Sequence, residues 1–257
     1  GSIDLVEKKT GRRYEQLNHF RDDGVAGNAW NHTPPRRNAV YSSLAGQAQW
    51  APVKDGPFEA KLEASLTLTL PVDLDARETP GGTMRDLPIR TTYTLRKGDP
   101  KVSIETWVDN RVCDHWLRAV FPTGIETDVS LAETHFDLVE RGIAHPDRHD
   151  WVEDTPMTGF MNNLVSLTDS EAGFSLMSEG LLEYEVFDQA NRPLALTLLR
   201  GMWVKLEVSE EKKQILPDKG PQVLGEHTLR YAIYAHAGGP LEADASREAQ
   251  AWRSPLL

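Results

Sequence analysis

The sequence predicts an all-β protein built from large antiparallel sheets packed face to face. Three observations carry that reading. Apolar and polar residues alternate with a period of two along most of the 257 positions. No apolar pattern of helical period extends beyond a few turns. Gly, Pro, Asn and Asp punctuate the alternating runs as turn chemistry.

The elements follow in chain order. In FEAKLEASLTLTL, Phe58, Ala60, Leu62, Ala64, Leu66, Leu68 and Leu70 share one face, and Glu59, Lys61, Glu63, Ser65, Thr67 and Thr69 take the other. Successive Cβ atoms point to opposite sides of a sheet, so this is a long, half-buried strand. PIRTTYTLR and KVSIETWVD flank the turn KGDP and read as a hairpin, with Pro100 at the start of the second strand, where its missing N–H costs least. HWLRAVF, ETHFDLV, NLVSLTD, GFSLMS, LEYEVF, LALTLLR, WVKLEV and HTLRYAIYA supply further strands, with DQANRP and TDSEAG as turns. DASREAQAW reads as one short amphipathic helix with Asp244 as its N-cap. Residues 21–37, 73–87 and 141–161 lack periodicity and read as long loops, which carry recognition more often than strands do.

Composition narrows the function. Lys and Arg number 28 against 39 Asp and Glu, a net charge of −11. Such a surface repels phosphate backbones and anionic lipid, which argues against nucleic acid and membrane partners. Cys113 is the single cysteine, so an intrachain disulfide and a Cys-based zinc site are excluded; a reducing compartment such as the cytoplasm fits, with Cys113 a buried, inert thiol. No apolar run is long enough to span a bilayer, and the N-terminal segment lacks the apolar core of a signal peptide. Both ends begin abruptly and read as cut edges.

Several polar clusters invite chemistry. His145, Asp147, His149 and Asp150 crowd one loop, but Pro146 removes the helical spacing a metal site would use, and a solvated loop is the better reading. His227 and His236 sit on opposite faces of one strand and cannot share a ligand; Arg230 reads as a paired sheet residue. The most unusual stretch is RDDGVAGNAWNHTPPRR. Its Asp22, Asp23, Asn28, Trp30, Asn31 and His32 are the residue types that bind sugars: planar polar groups for hydroxyls and an aromatic ring for a pyranose face. A Gly-rich connection with a core Trp reads equally well. Asp22 and Asp23 do not make a catalytic pair, because neighbours on an extended chain diverge while a retaining glycosidase needs two carboxyl groups about 5–5.5 Å apart.

Taken together, ordered segments resemble the C-terminal β region of glycoside hydrolase family 38, the α-mannosidases, including bacterial mannosylglycerate hydrolases. GSIDLVEKKTGRRYEQLNHF resembles the opening strand and turn of that region, and RDDGVAGNAWNHTPP its EDxGDxGDxYNYSPP loop. LRAVFPTGI with AETHFDLVERG, GLLEYEV with LALTLLRGMW, and QVLGEHTLRYAIYAHAGG resemble later strands in family order. The resemblance implies a β-supersandwich related to galactose mutarotase-like domains over residues 1–257. It also implies a longer enzyme, in which an N-terminal α/β domain holds the zinc and the nucleophilic Asp, a helical bundle follows, and this region frames the substrate. The fragment itself is then expected to bind no metal and to be inactive alone. Its expected partners are its own catalytic domain, a mannose-containing carbohydrate and a second copy of itself. The loop departs from the family pattern at Val25, Asn28 and His32, which bears on specificity. Two alternatives are a stand-alone carbohydrate-binding module and a mutarotase-type epimerase, for which His115, His135 and Glu183 are candidates by residue type.

Overall fold

A computed structural model describes residues 1–28, 32–144, 157–203, 205–207, 213–215 and 219–254. A hairpin of β1 (Ile3–Val6) and β2 (Arg13–Leu17) turns at Asn18 into β3 (His19–Gly24). After the Gly-rich loop come β4 (Tyr41–Ser42), β5 (Gln49–Asp55) and the long β6 (Glu59–Pro71). A short helix, α1 (Leu74–Glu78), leads to β7 (Met84–Arg96), β8 (Val102–Asn110), β9 (His115–Phe121), β10 (Val129–Glu133) and β11 (Leu138–Gly142). β12 (Gly159–Phe160), β13 (Leu164–Thr168), β14 (Ala172–Ser178), β15 (Glu183–Val186) and β16 (Leu194–Arg200) follow. β17 (Lys205–Glu207) and β18 (Lys213–Ile215) pair with each other, and β19 (Gly225–Ala237) and α2 (Ala245–Arg253) come last.

Two sheets make the body. The larger has nine strands in the order β11-β10-β13-β14-β19-β8-β7-β6-β5; the smaller has six, β12-β15-β16-β9-β3-β4. Their ladders are antiparallel. The alternating faces read from the sequence meet in a shared core. Phe20, Leu117 and Phe121 of the small sheet pack against Ile104, Phe174 and Tyr231 of the large one. Phe121 sits 6.2 Å from Tyr231, edge to face, and 6.2 Å from Phe174. Each such buried side chain contributes about 1.5–3 kcal/mol by leaving water. A buried polar chain crosses this core: Tyr231 donates to Asn18 Oδ1 at 2.8 Å, and Asn18 donates to Tyr93 Oη at 2.8 Å.

The all-β architecture stands, with four adjustments at element level. The run 133–139 is not one strand: β10 ends at Glu133 and β11 begins at Leu138, with fully exposed Phe136 in the turn between them. The stretch 21–37 starts inside β3, and 73–87 holds α1 and the start of β7. In that stretch Asp73 caps α1 by accepting the Ala76 N–H at 2.9 Å. The stretch 141–161 includes the end of β11 and all of β12, while residues 145–156 lie outside the described residues. The C-terminal helix forms as expected, and its Ala245 and Ala249 pack on Leu164, Met177 and Ala232. Asp244 occupies the N-cap position without capping: its backbone is left-handed (φ 53°) and its carboxylate meets Arg247 at 3.3 Å instead.

Candidate site beside the Gly-rich loop

The loop that follows β3 is pinned at both ends. The Val25 N–H donates to Asp114 O at 2.9 Å, and the Ala26 N–H donates to Thr33 O at 2.8 Å, which closes the loop on itself. Gly24 N–H meets Asn38 Oδ1 at 2.9 Å, and the Arg36 N–H meets Glu78 Oε1 at 2.7 Å. Val25 packs with Trp116 and Met202. Gly24 is required by close approach. A Cβ there would lie 2.4 Å from Arg77 Cδ and 2.5 Å from Pro35 Cγ. Among the tip residues, Trp30 and Asn31 lie outside the described residues, and Asn28 is engaged in contacts of its own.

Asp22 and Asp23 diverge, as alternation on β3 requires. Asp22 is fully buried and points to the inner face of the small sheet. It pairs with Arg77 of α1 and, at 2.6 Å, with His115 Nδ1. The other ring nitrogen of His115 faces Asn110 Oδ1 at 3.1 Å, and that amide is oriented by donating its own NH2 to Val223 O at 2.8 Å. Arg77 also donates to Ala39 O at 2.6 Å, so one guanidinium ties α1, β3 and the far end of the loop together. This buried ion pair fixes register and loop position.

Asp23 points to the outer face, where Arg118 of β9 bridges it to Glu185 of β15. Arg21 adds a second cation at 2.9 Å from Asp23. The Arg118 guanidinium lies 4.0 Å from the centre of the Trp116 ring, a cation–π contact, and its Nε has no hydrogen-bond partner among the described residues. Burial works to raise both carboxyls. At Asp23 the hydrogen bond from Arg21 and the charges of Arg118 and Arg21 outweigh it and hold the group low. At Glu185 burial outweighs Arg118 and raises it. Trp116 donates to Thr197 Oγ1 at 2.9 Å, and Thr197 donates to Glu183 Oε1 at 2.8 Å. Arg200 closes this outer row at 3.4 Å from Glu183.

His32 stands over the row. Its ring meets Trp116 edge-on at 4.6 Å, and its Nδ1 is buried with no hydrogen-bond partner among the described residues. Burial, then the charges of Arg200 and Arg118, push its pKa down to about 4. The ring is thus neutral at neutral pH, with one nitrogen to donate and one to accept. Of the loop residues singled out in the sequence, Asp23 and His32 flank this outer row and Asp22 supports it from behind. Arg118 and Arg77 were not singled out, although a lone charge inside HWLRAVF is itself a signal that a partner is needed.

The other clusters resolve differently. His115 is on the inner face of β9, while Glu183 lies on the outer row, so these two epimerase candidates do not converge; His135 stacks on Phe160 at 6.1 Å. His227 meets Val223 O and His236 meets Ser175 on the other face, and Arg230 pairs with Glu105 at 2.9 Å. The segment holding His145, Asp147, His149 and Asp150 lies outside the described residues. Cys113 is half-buried rather than buried, and burial followed by the Asp114 charge pushes its thiol up, away from nucleophilic character. Among the described residues no three His, Cys, Asp or Glu side chains converge to hold a metal ion, and no helix is long and apolar enough to cross a membrane.

Comparison with known proteins meets this geometry. Residues 1–207 match the family model described as "Glycosyl hydrolases family 38 C-terminal domain". A Halalkalibacterium halodurans protein named "Putative mannosylglycerate hydrolase" is 26% identical over 95% of this chain and 28% of its own length. The crystal structure of an α-mannosidase from Enterococcus faecalis V583 superposes with a TM-score of 0.87 at 27% identity, over 99% of this chain and 29% of that one. A second Enterococcus faecalis structure, titled as a family 38 glycosyl hydrolase, gives 0.82 at 24% identity, over 99% of this chain and 30% of that one, and supports the fold alone. The chain thus spans under a third of the length of these relatives. On its sequence match and its fold, the chain belongs to glycoside hydrolase family 38, as that family's C-terminal β domain.

Proposed function

We propose that this chain is the substrate-framing part of a longer, retaining α-mannosidase whose zinc and nucleophilic carboxylate reside outside these 257 residues. The observation that carries the reading is the pinned Gly-rich loop within a family 38 match over residues 1–207. The described residues do not fit a zinc centre, and no step through zinc is derived from them. When bound in the longer polypeptide, zinc would polarise sugar hydroxyls at the reacting ring.

This chain's share of the work is positioning. Asn28 and His32 face the sugar in this reading, and Trp30 and Asn31, outside the described residues, are assigned to sugar contact by residue type alone. An indole of the Trp30 type suits the pyranose C–H face, and His32 Nδ1, buried and without a hydrogen-bond partner among the described residues, is available to a hydroxyl. Asp23, through Arg118, and Asp22, through Arg77 and His115, hold the loop's base so that the tip is preorganised. The relatives' names support α-mannosides as the substrate class.

The test uses the longer polypeptide and p-nitrophenyl α-mannoside. Trp30→Ala and His32→Ala are each expected to raise KM about tenfold, or ~1.4 kcal/mol, with unchanged melting temperature. Unchanged KM in both variants would refute the placement of this loop at the sugar.

A further inference from the structure

The inner face of the nine-stranded sheet continues past the small sheet that covers it. On β6, the buried end of the apolar row is Leu68 and Leu70, but Leu62 on the same face is 40% exposed. Its neighbours across the ladder follow suit. Trp50 on β5 is 43% exposed, Leu95 on β7 is 51% exposed and Phe58, in the turn leading into β6, is 73% exposed; Pro52 pairs directly with Leu62 and is exposed too. These are core-side positions by register: Tyr93, opposite Leu62, belongs to the main core, and Trp50 stacks on its ring at 6.0 Å. On the opposite face Lys54, Lys61 and Arg96 surround Glu59, while Lys97 Nζ lies 5.8 Å from the centre of the Phe58 ring at the rim of the apolar row. A contiguous core-type face open to water marks a contact surface.

From this geometry we infer that the face formed by Trp50, Pro52, Phe58, Leu62 and Leu95 is the seat of the polypeptide that precedes Gly1 in the longer enzyme. The inference rests on the reading of this chain as part of such an enzyme. Two features choose the occupant. Gly1 already lies on this face: its carbonyl accepts from Tyr93 Oη at 2.8 Å, and a Cβ on it would be 2.6 Å from Leu66 Cδ2 and 3.9 Å from Ala64 Cβ. In the longer enzyme, residues joined to Gly1 would start next to Tyr93 and Leu66, within reach of the exposed row. Pairing of a second copy along the edge strand is disfavoured. β5 is the outermost strand, yet it carries Pro52, which has no N–H, an irregularity in register between Pro52 and Lys54, and a net −11 molecule behind it. Those are devices that prevent edge-to-edge pairing. The partner therefore lies on the face and not along the edge.

Hydroxyl-radical footprinting of the longer polypeptide and of the 257-residue chain tests this. Oxidation of Trp50 and Phe58 is expected to be at least fivefold slower in the longer polypeptide. Phe58→Glu and Leu95→Glu are expected to leave the melting temperature of the 257-residue chain unchanged and to lower that of the longer polypeptide. Equal oxidation in both forms overturns the inference. So does protection in the 257-residue chain alone that rises with concentration, accompanies dimers in sedimentation and is lost in Phe58→Glu, because a second copy is then the occupant. The readout is independent of catalysis. Protection without turnover leaves this surface standing and removes the mannosidase reading.

Discussion

Arg118→Met isolates the buried charge network that holds the loop's base. Arg118 is 3% exposed, and its two carboxylate partners, Asp23 and Glu185, are 6% and 8% exposed. Methionine keeps the aliphatic volume but leaves buried Glu185 without its cation and buried Asp23 with Arg21 alone. Breaking a buried pair from one side costs about 3–5 kcal/mol. Loss of the guanidinium from the Trp116 face adds about 1 kcal/mol. For a domain of this length, about 2–4 °C of melting temperature goes with each kcal/mol, so a fall of roughly 10–20 °C at pH 7.5 is expected. The deficit also depends on pH. Asp23 is held low in the native protein, so its contribution is present above the unfolded carboxyl value, about 3.9, and fades as pH falls through the folded one. In the variant both carboxyls keep their burial without the cation, so both take up protons more readily and the penalty shrinks in acid. Calorimetry at pH 7.5 and pH 5 should show the gap between native and variant narrowing, and Glu185→Gln in the Arg118→Met background should restore part of the loss. A deficit under about 1 kcal/mol, or one of equal size at both pH values, would refute the reasoning.

Two further outcomes are expected. Gly24→Ala forces a Cβ into Arg77 and Pro35 and should cost about 1–3 kcal/mol in chemical denaturation, with the loop after β3 becoming more open to proteolysis; a neutral result would mean the loop is not seated as described. For His32, the folded pKa near 4 lies below the unfolded value of about 6.5, so the unfolded state binds more protons between them and stability falls as pH drops through that window. His32→Gln should flatten the dependence of melting temperature on pH between those values, and NMR titration of the ring should find it neutral at pH 6.

Much of the fold was legible from local pattern, and the reason is periodicity. The apolar row of β6 and the split faces of β19 follow from alternation alone, because successive side chains must point to opposite sides. Alternation does not say which strands meet. That β19 lies between β14 and β8 is a long-range result of closing the sheet, invisible in any short window. It also fails where a strand is covered twice: all of β9 is buried, because the loop, Phe187 and Met202 cover its outer row. The break between β10 and β11 was hidden because Thr134–Asp137 keep the alternation through the turn. The helix α1 is too short for a period, although Asp73 was a usable cap signal. At the site, divergence of Asp22 and Asp23 was readable, but their cations come from 55 and 95 residues away. The sugar-binding residue types were visible as composition, whereas the support from Arg77, His115 and Arg118 required the folded chain.

The most direct test of the whole account is hydrolysis of p-nitrophenyl α-mannoside by the 257-residue chain and by the longer polypeptide, with metal content measured on the same samples. The account predicts turnover and bound zinc in the longer polypeptide, and neither in the shorter chain. Turnover by the 257 residues alone would contradict it, because the reacting centre would then lie inside the body described as its frame.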